Sequence, residues 1–183
     1  MKKAISILLV LCLVFTFISC GKAKSPSDAV VSYLKDLQHG KGGYSVDSID
    51  MSGVSDALEN ALKKAFTEFQ YEVKNESIRD DKATVEILFT NYDVGTPLKD
   101  ALQEYISEAM ALAFSGADQK DYDDLMDKKM TEKLKDLSFS FKETVTFTLT
   151  KSGSKWLLDD ISDNNDLFNA ITGGVSSALE AFS

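Results

Sequence analysis

The chain has 183 residues, a formal net charge of −9 and a sequence pI near 4.6. No basic run interrupts this acidic excess, so we expect neither nucleic-acid binding nor docking on anionic lipid by charge. The length suits one domain with a sizeable core.

The first twenty residues look like a bacterial lipoprotein signal. Met1–Lys3 is cationic, Ala4–Ile18 is almost entirely apolar, and Ser19 precedes Cys20. A basic start, a short apolar run and a small residue before the cut are typical of an export signal. The cysteine at this point predicts that residues 1–19 are removed and that lipid is attached to the Cys20 thiol.

Two alternatives for this segment stay open. The apolar run has 15 residues, whereas a helix that crosses a bilayer needs about 20, so an uncleaved anchor is the weaker alternative. An ordinary signal peptidase site requires small residues at positions −1 and −3, and Phe17 fits that requirement badly. Phe17 also replaces the leucine that is usual in lipoprotein signals.

Removal of residues 1–19 leaves 164 residues and moves the net charge from −9 to −11, because Lys2 and Lys3 leave with the signal. We expect residues 20–25 to form the lipidated cysteine and a short tether, and residues 26–183 to form a single α+β domain.

The chain has two cysteines, Cys12 and Cys20. One is removed and the other is acylated, which leaves no thiol, disulfide or sulfur metal ligand. Zinc–cysteine sites and thiol catalysis are therefore excluded. We expect no cofactor and no metal, because the rest of the chain carries no motif for either.

Two helices are predicted to open the domain. Ser25 as a cap and Pro26 in the first turn predict a helix that ends at Gly40. A loop follows, and apolar spacing predicts a second helix from about Ser52 to Glu68. His39, the only histidine, follows the first helix, where we expect it to contact the last carbonyls rather than to act as a base.

Alternating apolar residues then predict two hairpins with two helices between them and one helix after them. The expected elements are strands near Phe69–Lys74 and Ala83–Thr90 with a turn at Arg79–Lys82, helices Thr96–Ser115 and Asp118–Leu137, strands Phe139–Leu149 and Lys155–Ile161 with a turn at Ser152–Ser154, and a helix Asp166–Phe182 weakened by Gly173 and Gly174. The order ααββααββα predicts one antiparallel sheet with helices on one face, which strong curvature would turn into a cone.

Several segments resemble a group of uncharacterised bacterial lipoproteins. They are Ser25–Val30, Leu102–Ala109, Ala113–Gly116 and Gly153–Asp159, and the resemblance covers roughly residues 25–162. Those lipoproteins belong to domain-of-unknown-function families with a cystatin-like fold akin to nuclear transport factor 2. The resemblance implies a conical sheet with a pocket. The wider fold includes binding modules and a few isomerases and dehydratases, but none of their catalytic residues maps onto this sequence.

Glu143 is the most distinctive polar residue of the predicted strands. Counting by twos from Phe139 and Phe141 places it on the apolar face, where a carboxylate could act as a general base. We favour the alternative that the strand begins near Thr144, or that a bulge turns Glu143 outward.

Inward strand positions could also line a cavity, although such positions usually form plain core. The candidate lining residues are Tyr71, Phe89, Phe139, Phe141, Glu143, Phe147 and Trp156. The acidic run Asp159–Asp166 lacks the spacing of a calcium loop, so we expect a capped turn there and keep weak calcium binding as the alternative.

These observations predict a lipoprotein on the extracytoplasmic face of the cell membrane. We expect it to be a non-catalytic domain that binds a small apolar ligand or another envelope protein. The alternatives are an isomerase- or dehydratase-type enzyme with a carboxylate in the cone, and an accessory subunit of an envelope complex.

Replacement of Cys20 by alanine tests the anchor. We expect Cys20→Ala to abolish labelling by a radioactive fatty acid and to leave either uncleaved precursor or released protein. The physical reason is that two acyl chains, at about 0.8 kcal/mol for each buried CH₂, are needed for stable anchoring. Cys12→Ala is the matched control and should label like the wild type. Unchanged labelling of Cys20→Ala would contradict the assignment.

Overall fold

The computed structural model describes residues 25–41, 54–161 and 164–182, which contain six helices and four strands. In chain order they are α1 (Pro26–Gln38), α2 (Asp56–Glu68), β1 (Gln70–Arg79), β2 (Lys82–Asn91), α3 (Gly95–Ala113), α4 (Gln119–Leu134), β3 (Phe141–Ser152), β4 (Lys155–Leu158), α5 (Asn165–Thr172) and α6 (Val175–Glu180). The α+β class is confirmed. The signal at 1–19, Cys20 and most of the tether lie outside the described residues.

The four strands form one antiparallel sheet in the order β1-β2-β3-β4, with β1 and β4 as its open edges. Both predicted hairpin turns are confirmed, at Asp80–Asp81 and at Gly153–Ser154. The central pair β2–β3 runs without a register shift from Lys82↔Thr150 to Asn91↔Phe141. This pair joins the two hairpins into one sheet.

One face of the sheet is buried, and the other is exposed or half-buried. The buried face consists of Ala83, Val85, Ile87, Phe89, Val145, Phe147 and Leu149. It packs against apolar residues of α1 and α5, including Val30, Leu34, Leu37, Leu167, Ala170 and Ile171. The alternate residues of β2 and β3 point to the opposite face, away from these helices. The helices therefore cover only one face of the sheet, as predicted.

A second apolar cluster lies among the helices themselves. Its buried members come from α2, α4, α6 and the beginning of α3: Ala61, Leu62, Ala65, Val94, Leu98, Ala101, Met130, Leu134, Val175 and Ala178. No helix in the described ranges is long and apolar enough to cross a membrane.

The beginning of α1 matches the predicted signals. The Ser25 hydroxyl accepts a hydrogen bond from the Asp28 backbone N–H at 3.1 Å, and the Asp28 carboxylate accepts one from the Ser25 N–H at 3.1 Å. This capping box satisfies two backbone donors that the helix cannot pair internally. His39 follows the last turn, with Nδ1 2.6 Å from the Lys35 carbonyl oxygen, which confirms its expected place at the helix end.

β1 differs from the half-buried strand that its alternation predicts. Phe69 is buried and Tyr71 is half-buried, but Val73 is 38% exposed. The β1–β2 register also shifts between Val73 and Asn75. An edge strand has one neighbour, and a bulge bends it and increases its twist, which accounts for the exposure of its distal half.

Several predicted boundaries were wrong by a few residues. α2 begins at Asp56 rather than near Ser52, because the Ser55 hydroxyl accepts the Leu58 N–H at 3.4 Å. The fourth predicted helix ends at Leu134 rather than Leu137, and β4 ends at Leu158 rather than Ile161.

The predicted last helix is two helices, because two glycines turn the chain between them. Gly173 has φ +67° and Gly174 has φ +92°. The Gly173 carbonyl accepts the N–H groups of Val94 and Gly95, each at 2.9 Å. A Cβ on Gly173 would lie 1.9 Å from the Tyr92 carbonyl oxygen. The glycines therefore permit a close backbone contact rather than merely weakening a helix.

The same junction includes a buried amide side chain. Asn91 is fully buried, and its Nδ2 donates to the carbonyls of Ala170 at 3.0 Å and Ile171 at 3.2 Å. Its Oδ1 accepts the Tyr92 N–H at 2.8 Å. Asn91 thus connects the end of β2 to the last turn of α5.

Gly173→Ala tests the junction. A left-handed backbone costs a residue with a Cβ about 1–2 kcal/mol, and forced repacking adds about 1–3 kcal/mol, so we expect the free energy of unfolding in urea to fall by about 3 kcal/mol. Gly153→Ala is the matched control, because Gly153 has φ +62° and a Cβ added there would meet no heavy atom within 4 Å. That variant should lose about 1 kcal/mol. Equal losses would contradict the close-contact explanation.

Candidate functional site

Glu143 lies on the inner face of the sheet. It is the cross-strand partner of the buried Phe89, and the β2–β3 register has no bulge. β3 already begins at Phe141. The expectation that Glu143 turns outward, or that the strand starts near Thr144, is therefore wrong.

The Glu143 carboxylate has a structural partner. Its Oε2 accepts a hydrogen bond from Asn169 Nδ2 at 2.8 Å, and Asn169 is only 7% exposed. The Asn169 Oδ1 in turn accepts the backbone N–H of Ser177 in α6 at 3.1 Å. Glu143 therefore orients an amide that ties α5 and the first turn of α6 to the sheet.

The remaining candidate lining residues occupy different surroundings. Phe89 and Phe147 are fully buried in the sheet core, and the half-buried Tyr71 lies beside Phe69 with ring centroids 6.2 Å apart. Burial raises the pKa of the Tyr71 hydroxyl. The half-buried Phe141 ring lies against Gly174, where an added Cβ would be 2.8 Å from its Cε2.

Of the last two aromatic residues, Trp156 packs against the sheet core from the edge strand β4, and Phe139 is 37% exposed. Phe139 precedes β3 instead of lying within it, and its ring centroid is 4.9 Å from that of Tyr92. Trp156 is half-buried, with the Lys151 Nζ 5.8 Å from its ring centroid. None of the predicted lining residues borders either of the two clefts described next, so the predicted aromatic cavity stays a prediction.

A cleft of about 390 Å³ lies where the two hairpins meet, and we call it the hairpin cleft. It is lined by Ser77, Arg79, Lys82, Ala83, Thr84, Thr148, Leu149 and Asp159. Arg79 is the only arginine in the chain. The sequence predicts Arg79 and Lys82 only as parts of a turn, because strand register, not spacing, brings them beside β3 and Asp159.

Hydrogen bonds hold two charged groups of the hairpin cleft in place. Lys82 Nζ donates to Thr150 Oγ1 at 2.6 Å, and Thr150 Oγ1 donates to Asp159 Oδ1 at 2.6 Å. Lys82 Nζ is also 3.9 Å from Asp159 Oδ2. The Thr150 hydroxyl lowers the pKa of Asp159, with smaller contributions from the Thr148 hydroxyl and the Lys82 charge. Asp159 is therefore ionised at neutral pH.

A second cleft, of about 280 Å³, lies between α2 and α4. Its lining is Ala57, Asn60, Ala61, Lys64, Thr131, Leu134, Lys135 and Leu137. Lys64 Nζ lies 4.1 Å from the ring centroid of Tyr92, which gives this lysine a cation–π partner.

The acidic run before α5 forms a helix cap where it is described. The Asn164 Oδ1 accepts the Leu167 N–H at 2.8 Å, as a capped turn requires, while Ser162 and Asp163 lie outside the described residues. Within residues 25–41, 54–161 and 164–182, no three His, Cys, Asp or Glu side chains are grouped to hold a metal ion.

From Gln103 to Phe114, which directly follows α3, one side of the helix is an exposed surface without charge, which we call the α3 stripe. It consists of Gln103, Ile106, Ser107, Met110 and Phe114. Ile106 is 46% exposed, Met110 64% and Phe114 91%. Apolar residues recur at helical spacing along α3, but only Leu98 and Ala101 of them are buried.

Ion pairs with α4 explain why the α3 stripe carries no charge. Lys129, 6% exposed, donates to Glu108 at 2.6 Å and to Glu104 at 3.3 Å. Lys133 also pairs with Glu104. Hydrogen bonds from Lys133 and Lys129 lower the pKa of Glu104. The acidic residues in the second half of α3 therefore face α4, and the uncharged residues are left on the outer side.

Fold and site together define an α+β domain with an open four-stranded antiparallel sheet, a polar hairpin cleft and an exposed uncharged helix side. No protein-family profile matches the chain, and no curated protein matches it. Among solved structures it is similar to that of YcdA, a proposed lipoprotein of Bacillus subtilis subsp. subtilis str. 168, at 16% identity and a TM-score of 0.39. The match covers 90% of this chain and 54% of the other, so this chain spans about half the length of YcdA. At this TM-score the likeness carries no argument about fold or function.

Substitution of Glu143 tests its positioning role. Glu143→Ala leaves the buried Asn169 amide without its acceptor, which costs about 1–3 kcal/mol. Glu143→Gln keeps a carbonyl acceptor, so we expect it to lose less of the free energy of unfolding in urea. The control Thr144→Ala, at the exposed neighbouring position, should stay within about 0.5 kcal/mol. A neutral Glu143→Ala would contradict the role.

Proposed function

We propose that this chain is a lipid-anchored extracytoplasmic protein that acts by contacting another envelope protein through the α3 stripe. The anchor is supported by the sequence pattern that ends in Cys20. The contact is supported by the exposure of Ile106, Met110 and Phe114 along one side of a helix.

The α3 stripe has the chemistry of a protein-binding surface. Side chains at positions 106, 110 and 114 follow one another at four-residue spacing and therefore share one side of the helix. Contiguous exposed apolar side chains are typical of interaction sites, because burial of each large one contributes about 1.5–3 kcal/mol. Gln103, Ser107 and the three apolar residues carry no charge. A partner can therefore cover them without removing water from an ion.

The surroundings of Glu143 favour binding over catalysis in this proposal. The enzyme alternative needs an inward carboxylate that is available to a substrate. Glu143 already accepts a hydrogen bond from Asn169, which also holds the Ser177 N–H. A catalytic Glu143 would have to react while its carboxylate also holds the amide that ties α5 and α6 to the sheet.

Photo-crosslinking in living cells tests the contact. The phenylalanine analogue benzoylphenylalanine replaces Phe114 in the full chain, and irradiation should give one discrete protein adduct. The additional substitution Met110→Glu should reduce the adduct at least tenfold, because a carboxylate would be desolvated in the contact.

Two controls accompany this experiment. The same crosslinker at Leu157, which is 52% exposed on the outer sheet face, should give no such adduct. Thr144→Glu places the same charge at an exposed position of the outer sheet face, away from α3, and should leave the adduct unchanged. Adducts with lipid only, or equal adducts from Phe114 and Leu157, would contradict the proposal.

A further inference from the structure

We propose that the hairpin cleft binds a phosphate group that carries neighbouring hydroxyls, which is the chemistry of a glycerophosphate. The hairpin cleft is separate from the α3 stripe and lies on the face of the sheet opposite the helices. A cleft of about 390 Å³ is within the range of small-ligand sites.

The two cations of the cleft face each other across neighbouring strands. Arg79 and Lys82 are cross-strand partners in the β1–β2 pair, so their Cβ atoms lie about 4.5–5.5 Å apart, and like charges in this position destabilise the sheet. The Arg79 guanidinium has no hydrogen-bond or ion-pair partner among the described residues. An anion between the two cations removes the repulsion and gives Arg79 the planar, two-point partner that its geometry favours.

Hydroxyl groups line the same part of the sheet. Ser77, Thr84 and Thr148 are aligned across three strands, since Ser77 pairs with Thr84 and Thr84 pairs with Thr148. Their side chains therefore lie on one face, beside the two cations. Hydroxyls donate to phosphate oxygens without adding charge.

The carboxylate of Asp159 determines which anion fits. It is held by Thr150 and lies 3.9 Å from Lys82. An ionised carboxylate repels a bare phosphate but accepts hydrogen bonds from hydroxyl groups. A ligand that places phosphate at Arg79 and hydroxyls at Asp159 satisfies both, whereas inorganic phosphate does not. Asp80 and Asp81 in the turn add negative charge nearby but do not line the cleft. Binding of the anion must therefore depend on direct contacts with Arg79 and Lys82 rather than on long-range electrostatic attraction.

The position of α1 makes a membrane lipid one source of this chemistry. Ser27 N donates to the Glu76 carboxylate at 2.9 Å, so the first turn of α1 lies near the same end of β1 as the cleft, on the other face of the sheet. The five residues from Gly21 to Ser25 extend at most about 18 Å. This step rests on the proposed anchor: a lipid on Cys20 would bring the cleft close to the headgroups of the same leaflet. A free glycerophosphate is the other source.

The single arginine provides the readout. In the detergent-solubilised mature chain, the NMR spectrum should contain one Arg Nε–Hε resonance. Addition of glycerol phosphate should shift this resonance until the shift saturates, and the titration curve gives the dissociation constant. Inorganic phosphate should bind at least tenfold more weakly, and glycerol should give no shift. Lys82→Gln should weaken glycerol phosphate binding at least tenfold, whereas the control Lys155→Gln, an exposed residue of the neighbouring hairpin, should not.

A second arm distinguishes the two sources. The mature lipidated chain is placed in nanodiscs of phosphatidylcholine with or without phosphatidylglycerol. A shift of the arginine resonance only with phosphatidylglycerol identifies the headgroup, and a shift with free glycerol phosphate alone identifies a free ligand.

The outcomes are separable from those for the anchor and for the protein contact. No shift with glycerol phosphate, or the same affinity for inorganic phosphate, would overturn the site. A lost lipid label with normal binding of glycerol phosphate would overturn the anchor and leave the site standing. Thermal unfolding of Lys82→Gln, followed by circular dichroism, verifies that a loss of binding is not a loss of fold.

Discussion

The close contact between the beginning of α3 and the Gly173–Gly174 pair is the constraint on which the architecture depends. α5 belongs to the core beneath the sheet, whereas α6 and the first half of α3 belong to the core among the helices. The Gly173 carbonyl accepts two N–H groups from the chain that enters α3. A Cβ on Gly95 would lie 2.3 Å from the Gly174 carbonyl oxygen. Three glycines thus allow the two cores to share one backbone junction.

Buried amides extend this junction in two directions. Asn91 fixes the end of the central strand to the carbonyls of α5, and Asn169 links α6 to the carboxylate of Glu143 on β3. A polar group in such a place is stabilising only when each of its hydrogen-bonding atoms has a partner. Because the buried Asn169 amide needs an acceptor, the presence of Glu143 on the apolar face of the sheet is explained without a catalytic step. The two surfaces that we propose for recognition lie elsewhere, on the outer sheet face and on the outer side of α3.

Charge is distributed unevenly over these surfaces. The acidic residues in the second half of α3 are paired with α4, which leaves the α3 stripe neutral. The single arginine stands opposite a lysine at the hairpin cleft of a strongly acidic chain. Net charge excludes a large basic surface, but it does not exclude a local arrangement of two cations and several hydroxyls.

The sequence alone determined the α+β class, the two hairpins, the cap of α1 and the inward residues of β2, because these depend on neighbours within a few positions of the chain. It did not determine which predicted apolar sides would be covered: Val73 and Met110 follow strand and helix patterns but remain exposed. Nor did it place Glu143, Arg79 or Gly173. Their partners are separated from them by many residues, so only strand register and the packing of distant backbone segments decided what each one contacts.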